Sequence, residues 1–158
     1  MTLRIAIAAA VVALLAGCAA TSSTTPASQQ ASAVATPLPA SSAEMQTNMH
    51  VQAIAYGNVA KLATEYAPDA RLEWIGGPLD GTYRGAQIAE VWAKFTKAQG
   101  PLGATSANME TSTNPKGATV SLNGLYRGKA DVKVRQVITY RNGLIMNEIW
   151  QVDPNLPS

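Results

Sequence analysis

The chain has 158 residues, with 12 Lys and Arg against 10 Asp and Glu, one His and one Cys. Charges this balanced and scattered argue against nucleic acid as a partner. One His and one Cys exclude a multi-histidine metal site and an internal disulfide, and no CxxC, HExxH or glycine-rich phosphate loop occurs, so neither metal nor cofactor is expected.

After Arg4 come thirteen residues, Ile5 to Gly17, without a polar side chain. A membrane-spanning helix needs about 20, so the stretch reads as the apolar core of a secretory signal over residues 1–17. The run Leu15, Ala16, Gly17, Cys18 that closes it resembles the lipobox of bacterial lipoproteins. The resemblance implies a mature chain that begins at a triacylated, palmitate-bearing Cys18; an ordinary signal peptide with an incidental cysteine, or a buried thiol, is the alternative. Each buried methylene contributes about 0.8 kcal/mol, so three acyl chains make membrane lipid a permanent partner. Ala19 rather than aspartate follows the cysteine, which by the same resemblance favours the outer membrane, facing the periplasm.

Residues 19–43 hold eight Ala, six Ser, four Thr and three Pro with no charge. Such a segment lacks the apolar side chains that offset ordering entropy. Together with Cys18 it reads as a disordered tether over 18–43, its r.m.s. reach about 25–30 Å at roughly 5–6 Å times the square root of its length. One domain over 44–154 is then expected, followed by a short tail, 155–158.

From Glu44 to Tyr56 the chain lacks Gly and Pro and reads as a helix. Asn58 is placed to cap a second, short helix whose apolar face holds Val59, Leu62, Ala63 and Tyr66, ended by Pro68 and Asp69. Ala70, Leu72 and Trp74 alternate with Arg71 and Glu73 as in a half-buried strand. A short strand, 81–84, leads to a third helix with the stripe Ile88, Val91, Trp92 and Phe95, stopped by Gly100 and Pro101. Four strands follow, near 104–113, 117–127, 130–141 and 144–152, with turn residues at 114–117 and 141–143. Helices first and then an antiparallel meander predict an α+β fold whose sheet curls around the helices.

The run Tyr66, Ala67, Pro68, Asp69, Ala70, Arg71, Leu72, Glu73, Trp74, then Tyr83, Arg84, Gly85, Ala86, Gln87, Ile88, resembles the nuclear transport factor 2-like superfamily with its SnoaL-like and ketosteroid-isomerase-like members. The resemblance covers about residues 45–152. It implies a cone-shaped α+β barrel, N-terminal helices packed in a curved, mostly antiparallel sheet, with a pocket between them. Activity does not follow, because one scaffold hosts many chemistries.

Strand alternation puts Val132, Val134, Gln136, Ile138 and Tyr140 inside the sheet. Gln136, the one amide in that row, either bonds its protein neighbours or meets a ligand. On the last strand Met146, Glu148 and Trp150 share a register, and the resemblance favours Glu148 and Trp150 inside. There Glu148 is either a structural partner or a general acid or base. His50, on the same stripe as Ile54, occupies the position where the isomerases carry a substrate-binding tyrosine. Their catalytic aspartate corresponds to Trp74 and their protonated aspartate to Gln136, so steroid isomerisation is not expected.

Two readings of function follow. In the first, Trp74, Trp92, Gln136 and Trp150 wall a site for a small, largely apolar ligand, with Trp92 alternatively simple core. In the second, His50 and Glu148 form the acid–base pair of an isomerase, dehydratase or hydrolase. A homodimer through the outer sheet face is implied by resemblance, but the cations Lys133, Arg135 and Arg141 restrict it to a polar interface.

Overall fold

The computed structural model describes residues 38–157. The signal segment, Cys18 and most of the tether lie outside them. Three helices, α1 (Ala40–Ala55), α2 (Val59–Glu65) and α3 (Ala86–Gln99), pack against six strands: β1 (Tyr66–Ile75), β2 (Gly81–Arg84), β3 (Gly103–Asn114), β4 (Gly117–Arg127), β5 (Asp131–Arg141) and β6 (Leu144–Val152). The sheet order is β2-β1-β6-β5-β4-β3. Only the β1–β6 pair is parallel. The sheet is curved and open, β2 and β3 forming its edges, and the helices fill its concave side as the expected α+β cone.

Helix α1 begins four residues earlier than the sequence indicates. Pro39 stands at its N-cap and Ala43 is fully buried, so the end of the presumed tether, residues 40–43, belongs to the domain. Small uncharged residues do not signal burial by themselves; here the first turn is held by packing. At the other end Gly57 has φ +64°. The Gly57 N–H donates to Ile54 O at 3.0 Å and the Asn58 N–H to Ala53 O at 2.9 Å, closing the helix with a left-handed glycine. Asn58 then caps α2, its Oδ1 accepting from the Lys61 N–H at 3.1 Å.

Helix α2 stops at Glu65, before the expected Pro68–Asp69 boundary. Tyr66 is already extended, with φ −91° and ψ 142°, and pairs with Ile145 of β6. Pro68 disfavours helical geometry at Ala67, and the parallel ladder takes Tyr66 just ahead of it. Tyr66 is therefore a strand residue and not part of the α2 face.

The β1 and β5 alternations are as expected: Ala70, Leu72 and Trp74, and Val134, Gln136, Ile138 and Tyr140, are buried. In β6 the inward set is Ile145, Glu148 and Trp150, and Met146 is only half-buried. Thr139 pairs with Asn147 and Tyr140 with Ile145, which leaves Met146 without a partner. This bulge switches the phase of the strand, an event that period-two alternation cannot anticipate.

Candidate functional site

The helices and the concave sheet meet on a chain of polar side chains. His50, from α1, is 1% exposed and Glu148, from β6, is fully buried. His50 Nε2 lies 3.3 Å from both Glu148 oxygens, and its Nδ1 lies 2.7 Å from Glu65 Oε2. The Tyr66 hydroxyl also donates to Glu148 and accepts from the Trp92 indole N–H at 2.9 Å. Gln136 Nε2 donates to Glu148 Oε1 at 2.6 Å, while its Oε1 accepts from the Tyr126 hydroxyl at 3.3 Å. Lys61 Nζ donates to the outer oxygen of Glu65, one turn along α2.

Every contact to Glu148 comes from a donor, the arrangement that an ionised carboxylate satisfies. Such pairing offsets the cost of burying the charge. Burial by itself would lower the His50 pKa, but the charge and hydrogen bond of Glu148, seconded by those of Glu65, outweigh it and raise it to about 9. Glu65 is shifted the opposite way: partial burial would raise it, and the bonds and charges of His50 and Lys61 bring it below the usual glutamate value. Burial, and after it the Glu148 charge, push Tyr66 and Tyr126 well above the usual phenol value. Near neutral pH His50 is thus an imidazolium with both N–H groups engaged, a fixed donor without a free basic nitrogen.

Below this network lies the aromatic core. Trp74 stacks 5.0 Å from Trp150 and 5.5 Å from Trp92, and Trp150 lies 5.0 Å from Trp92 and 4.8 Å from Tyr126. Phe95 closes the group at 5.3 Å from Trp74. These are contact distances for aromatic pairs, and Trp74, Trp92 and Trp150 are at most 3% exposed. The sequence suggests Trp74 and Trp150 as walls around a ligand and leaves Trp92 open between wall and simple core; in the structure the three rings pack against one another. Gln136, expected to face a ligand or a protein neighbour, has both ends of its amide on protein partners. In this aromatic group the Trp150 indole N–H is buried without an acceptor.

The network reaches solvent at Glu65 and Lys61, where a cleft of about 180 Å³ ends on His50 and Glu65. Met49, Tyr140, Leu144 and Ile145 give it an apolar side, and Gln46 and Lys61 a polar one. The Gln46 side-chain oxygen, buried there, has no hydrogen-bond partner. No group of three His, Cys, Asp or Glu side chains among the described residues is arranged to hold a metal ion, since His50 stands between its two carboxylates with both nitrogens engaged. Sequence reasoning missed Lys61, Glu65, Tyr66 and Tyr126 as members of this assembly. The i, i+4 spacing of Lys61 and Glu65 was the available signal, and it is also the commonest pattern of a solvated helix face.

No family model matches the sequence, and no curated protein matches it. Solved structures do match. Nuclear transport factor 2 of Cryptosporidium parvum superposes with a TM-score of 0.59 at 19% identity, over 70% of this chain and 90% of its own. A nuclear transport factor 2-like protein of unknown function from Pseudomonas putida KT2440 gives 0.62 at 16%, over 71% and 84%. The chain has the nuclear transport factor 2-like fold. A candidate polyketide cyclase from Sinorhizobium meliloti shares it with a TM-score of 0.51 at 19% identity, over 68% and 94%. Identities this low carry the nuclear transport factor 2-like architecture and no activity.

Proposed function

We propose that this chain is a cell-envelope lipoprotein, held at the outer membrane through an acylated Cys18, whose domain binds a small molecule in the cleft that ends on His50 and Glu65. The observation that carries the reading is the meeting of a buried, fully bonded ion network with a solvent-open cleft at those two residues. Volume decides the kind of ligand. About 180 Å³ corresponds to roughly six waters at ~30 Å³ each, below the ~300–1,000 Å³ of drug-sized sites. With the aromatic interior filled, the ligand is compact, its polar end toward Lys61, Glu65 and the unpartnered Gln46 oxygen and its apolar end toward Met49 and Leu144.

Catalysis by a His50/Glu148 pair has the required proximity, 3.3 Å. A general base, however, needs a nitrogen that can accept a proton from substrate, and Glu65 and Glu148 hold both protons of His50 in place. Binding is therefore preferred to acid–base turnover.

The test has two arms. A panel of small organic acids, amines and amino acids is titrated into the protein, and the imidazole resonance of His50 and the melting temperature are followed. A binder shifts both, and Lys61→Ala weakens it about tenfold or more; silence across the panel overturns the cleft as a site. Labelled palmitate incorporation that Cys18→Ala abolishes supports the anchor, and incorporation unaffected by that change removes it.

A further inference from the structure

The dipeptide Asn-Gly occurs twice in the chain, at Asn123–Gly124 and Asn142–Gly143. It is chemically prone to lose ammonia, because glycine has no Cβ to shield its amide nitrogen and lets the backbone reach the conformations that ring closure needs. Sequence makes the two pairs alike; the fold separates them. Asn123 and Gly124 sit inside β4, paired to Ala107 and Ser106 on one side and to Arg135 and Val134 on the other. Gly124 is buried, and a Cβ there would stand 2.9 Å from the Tyr126 ring. Asn142 and Gly143 instead form the whole link between Arg141 of β5 and Leu144 of β6, and both are exposed. Their φ values of +51° and +75° are those of a type I′ turn.

We infer that Asn142 is a site of spontaneous modification, converting to aspartate and isoaspartate at the edge of the His50 cleft. The deprotonated amide nitrogen of Gly143 attacks Asn142 Cγ and forms a C–N bond. The bond from Cγ to the side-chain nitrogen breaks, and ammonia leaves carrying the proton lost by the backbone. Water then opens the cyclic imide at either carbonyl, giving aspartate, or isoaspartate in which the chain runs on through Cγ. The balance is one water in and one ammonia out, with no oxidant or cofactor. Ring closure requires the backbone at Asn142 to leave its turn geometry, so the rate follows local opening. A hairpin tip opens at small free-energy cost, whereas a strand flanked on both sides opens at a cost near that of global unfolding.

The position gives the reaction a consequence. Gly143, Leu144 and Ile145 border the cleft that ends on His50 and Glu65, and a Cβ on Gly143 would lie 3.7 Å from Gln46 Nε2. Isoaspartate inserts one backbone atom into a turn whose length sets the pairing of Arg141 with Leu144. Either product also brings a carboxylate to a turn that otherwise carries only the Arg141 charge. The modification stands by itself, and only its effect on binding rests on the cleft being a ligand site.

Peptide mapping by mass spectrometry of the detergent-solubilised full chain, aged in warm, mildly alkaline buffer, tests this. Trypsin cuts after Lys116, Arg127 and Arg141 and so places the two Asn-Gly pairs on separate peptides. In the folded protein Asn142 is expected to convert about tenfold or more faster than Asn123, and in strong denaturant the two rates are expected to converge. Asn142→Gly keeps a turn that accepts positive φ and should remove the fast product. Asn123 converting as fast as Asn142 in the folded chain overturns the assignment, as does an Asn142 that converts only in denaturant. The effect on the cleft is read from the His50 imidazole and the Leu144 and Ile145 amide resonances, aged protein against fresh. They are expected to shift more in the isoaspartyl fraction than in Asn142→Asp, which adds the charge without the extra backbone atom. An isoaspartyl fraction that leaves all three in place overturns the link to the cleft. Neither readout needs a ligand, so silence across the ligand panel leaves both unaffected.

Discussion

Glu65 and Tyr66, adjacent in the chain, hold opposite ends of one buried ion pair. Glu65 accepts from His50 Nδ1 at 2.7 Å, and the Tyr66 hydroxyl donates to Glu148. The arrangement exists because α2 passes into β1 without a loop. The last helical side chain turns to α1 and the first strand side chain turns to β6.

The single histidine makes the electrostatics directly measurable. Its imidazole resonance is expected to titrate near pH 9 and not near the ordinary 6.5. Glu148→Gln, which removes the largest favourable charge, should lower that midpoint by more than one unit. A wild-type midpoint near 6.5 would show that His50 is not held between two carboxylates.

Stability should follow the same group. His50 binds its proton more tightly in the folded state, with a pKa of about 9 against 6.5 unfolded. Its contribution is complete below pH 6.5 and is lost as pH rises through 9. The unfolding free energy should therefore fall by about 3 kcal/mol over that window, with a slope of at most ~1.4 kcal/mol per pH unit. Urea melts at intervals across the window check this. His50→Gln should flatten the dependence, and a stability that rises over that range would contradict the sign.

Two equally buried tryptophans should respond differently to one substitution. Trp92→Phe removes the donor to Tyr66 as well as side-chain volume and is expected to cost about 2–4 kcal/mol. Trp150→Phe loses similar volume but also removes an indole N–H without an acceptor, an orphan that costs about 1–3 kcal/mol, so its net change should stay within about 1 kcal/mol of zero. Equal destabilisation of the two in chemical denaturation would show that the Trp150 N–H is satisfied.

Gly117 opens β4 where a Cβ would stand 2.0 Å from the Tyr140 carbonyl oxygen. Backbone cannot yield as a flexible side chain does. Gly117→Ala is expected to cost at least about 2 kcal/mol, whereas Gly77→Ala, with φ +73° but no atom near its Cβ, should cost about 1 kcal/mol. Thermal or urea melts of the two variants rank them, and Gly77→Ala as the worse would contradict the close approach.

Much of the architecture was legible because it is periodic. The stripe Ile88, Val91, Trp92, Phe95 and the alternations of β1 and β5 are local patterns that the fold obeys. Departures arose where one segment answered to another. Tyr66 left its helix to pair with Ile145, and Met146 bulged, so that Ile145 took the inward position. Ala43 is buried through packing that no composition records.

The candidate site divides in the same way. Strand alternation singles out Gln136 as the one amide in an apolar row, whereas His50 and Glu148 are reached through the resemblance. Sequence by itself also determined the charge balance and the single histidine. Only the tertiary structure could decide that these three belong to one network completed by Glu65, Tyr66, Trp92, Tyr126 and Lys61, and that the tryptophans fill the cone instead of lining it. Whether an aromatic side chain encloses space or occupies it depends on ring positions set by four separate elements, β1, α3, β4 and β6, and those positions have no counterpart in the spacing of residues along the chain.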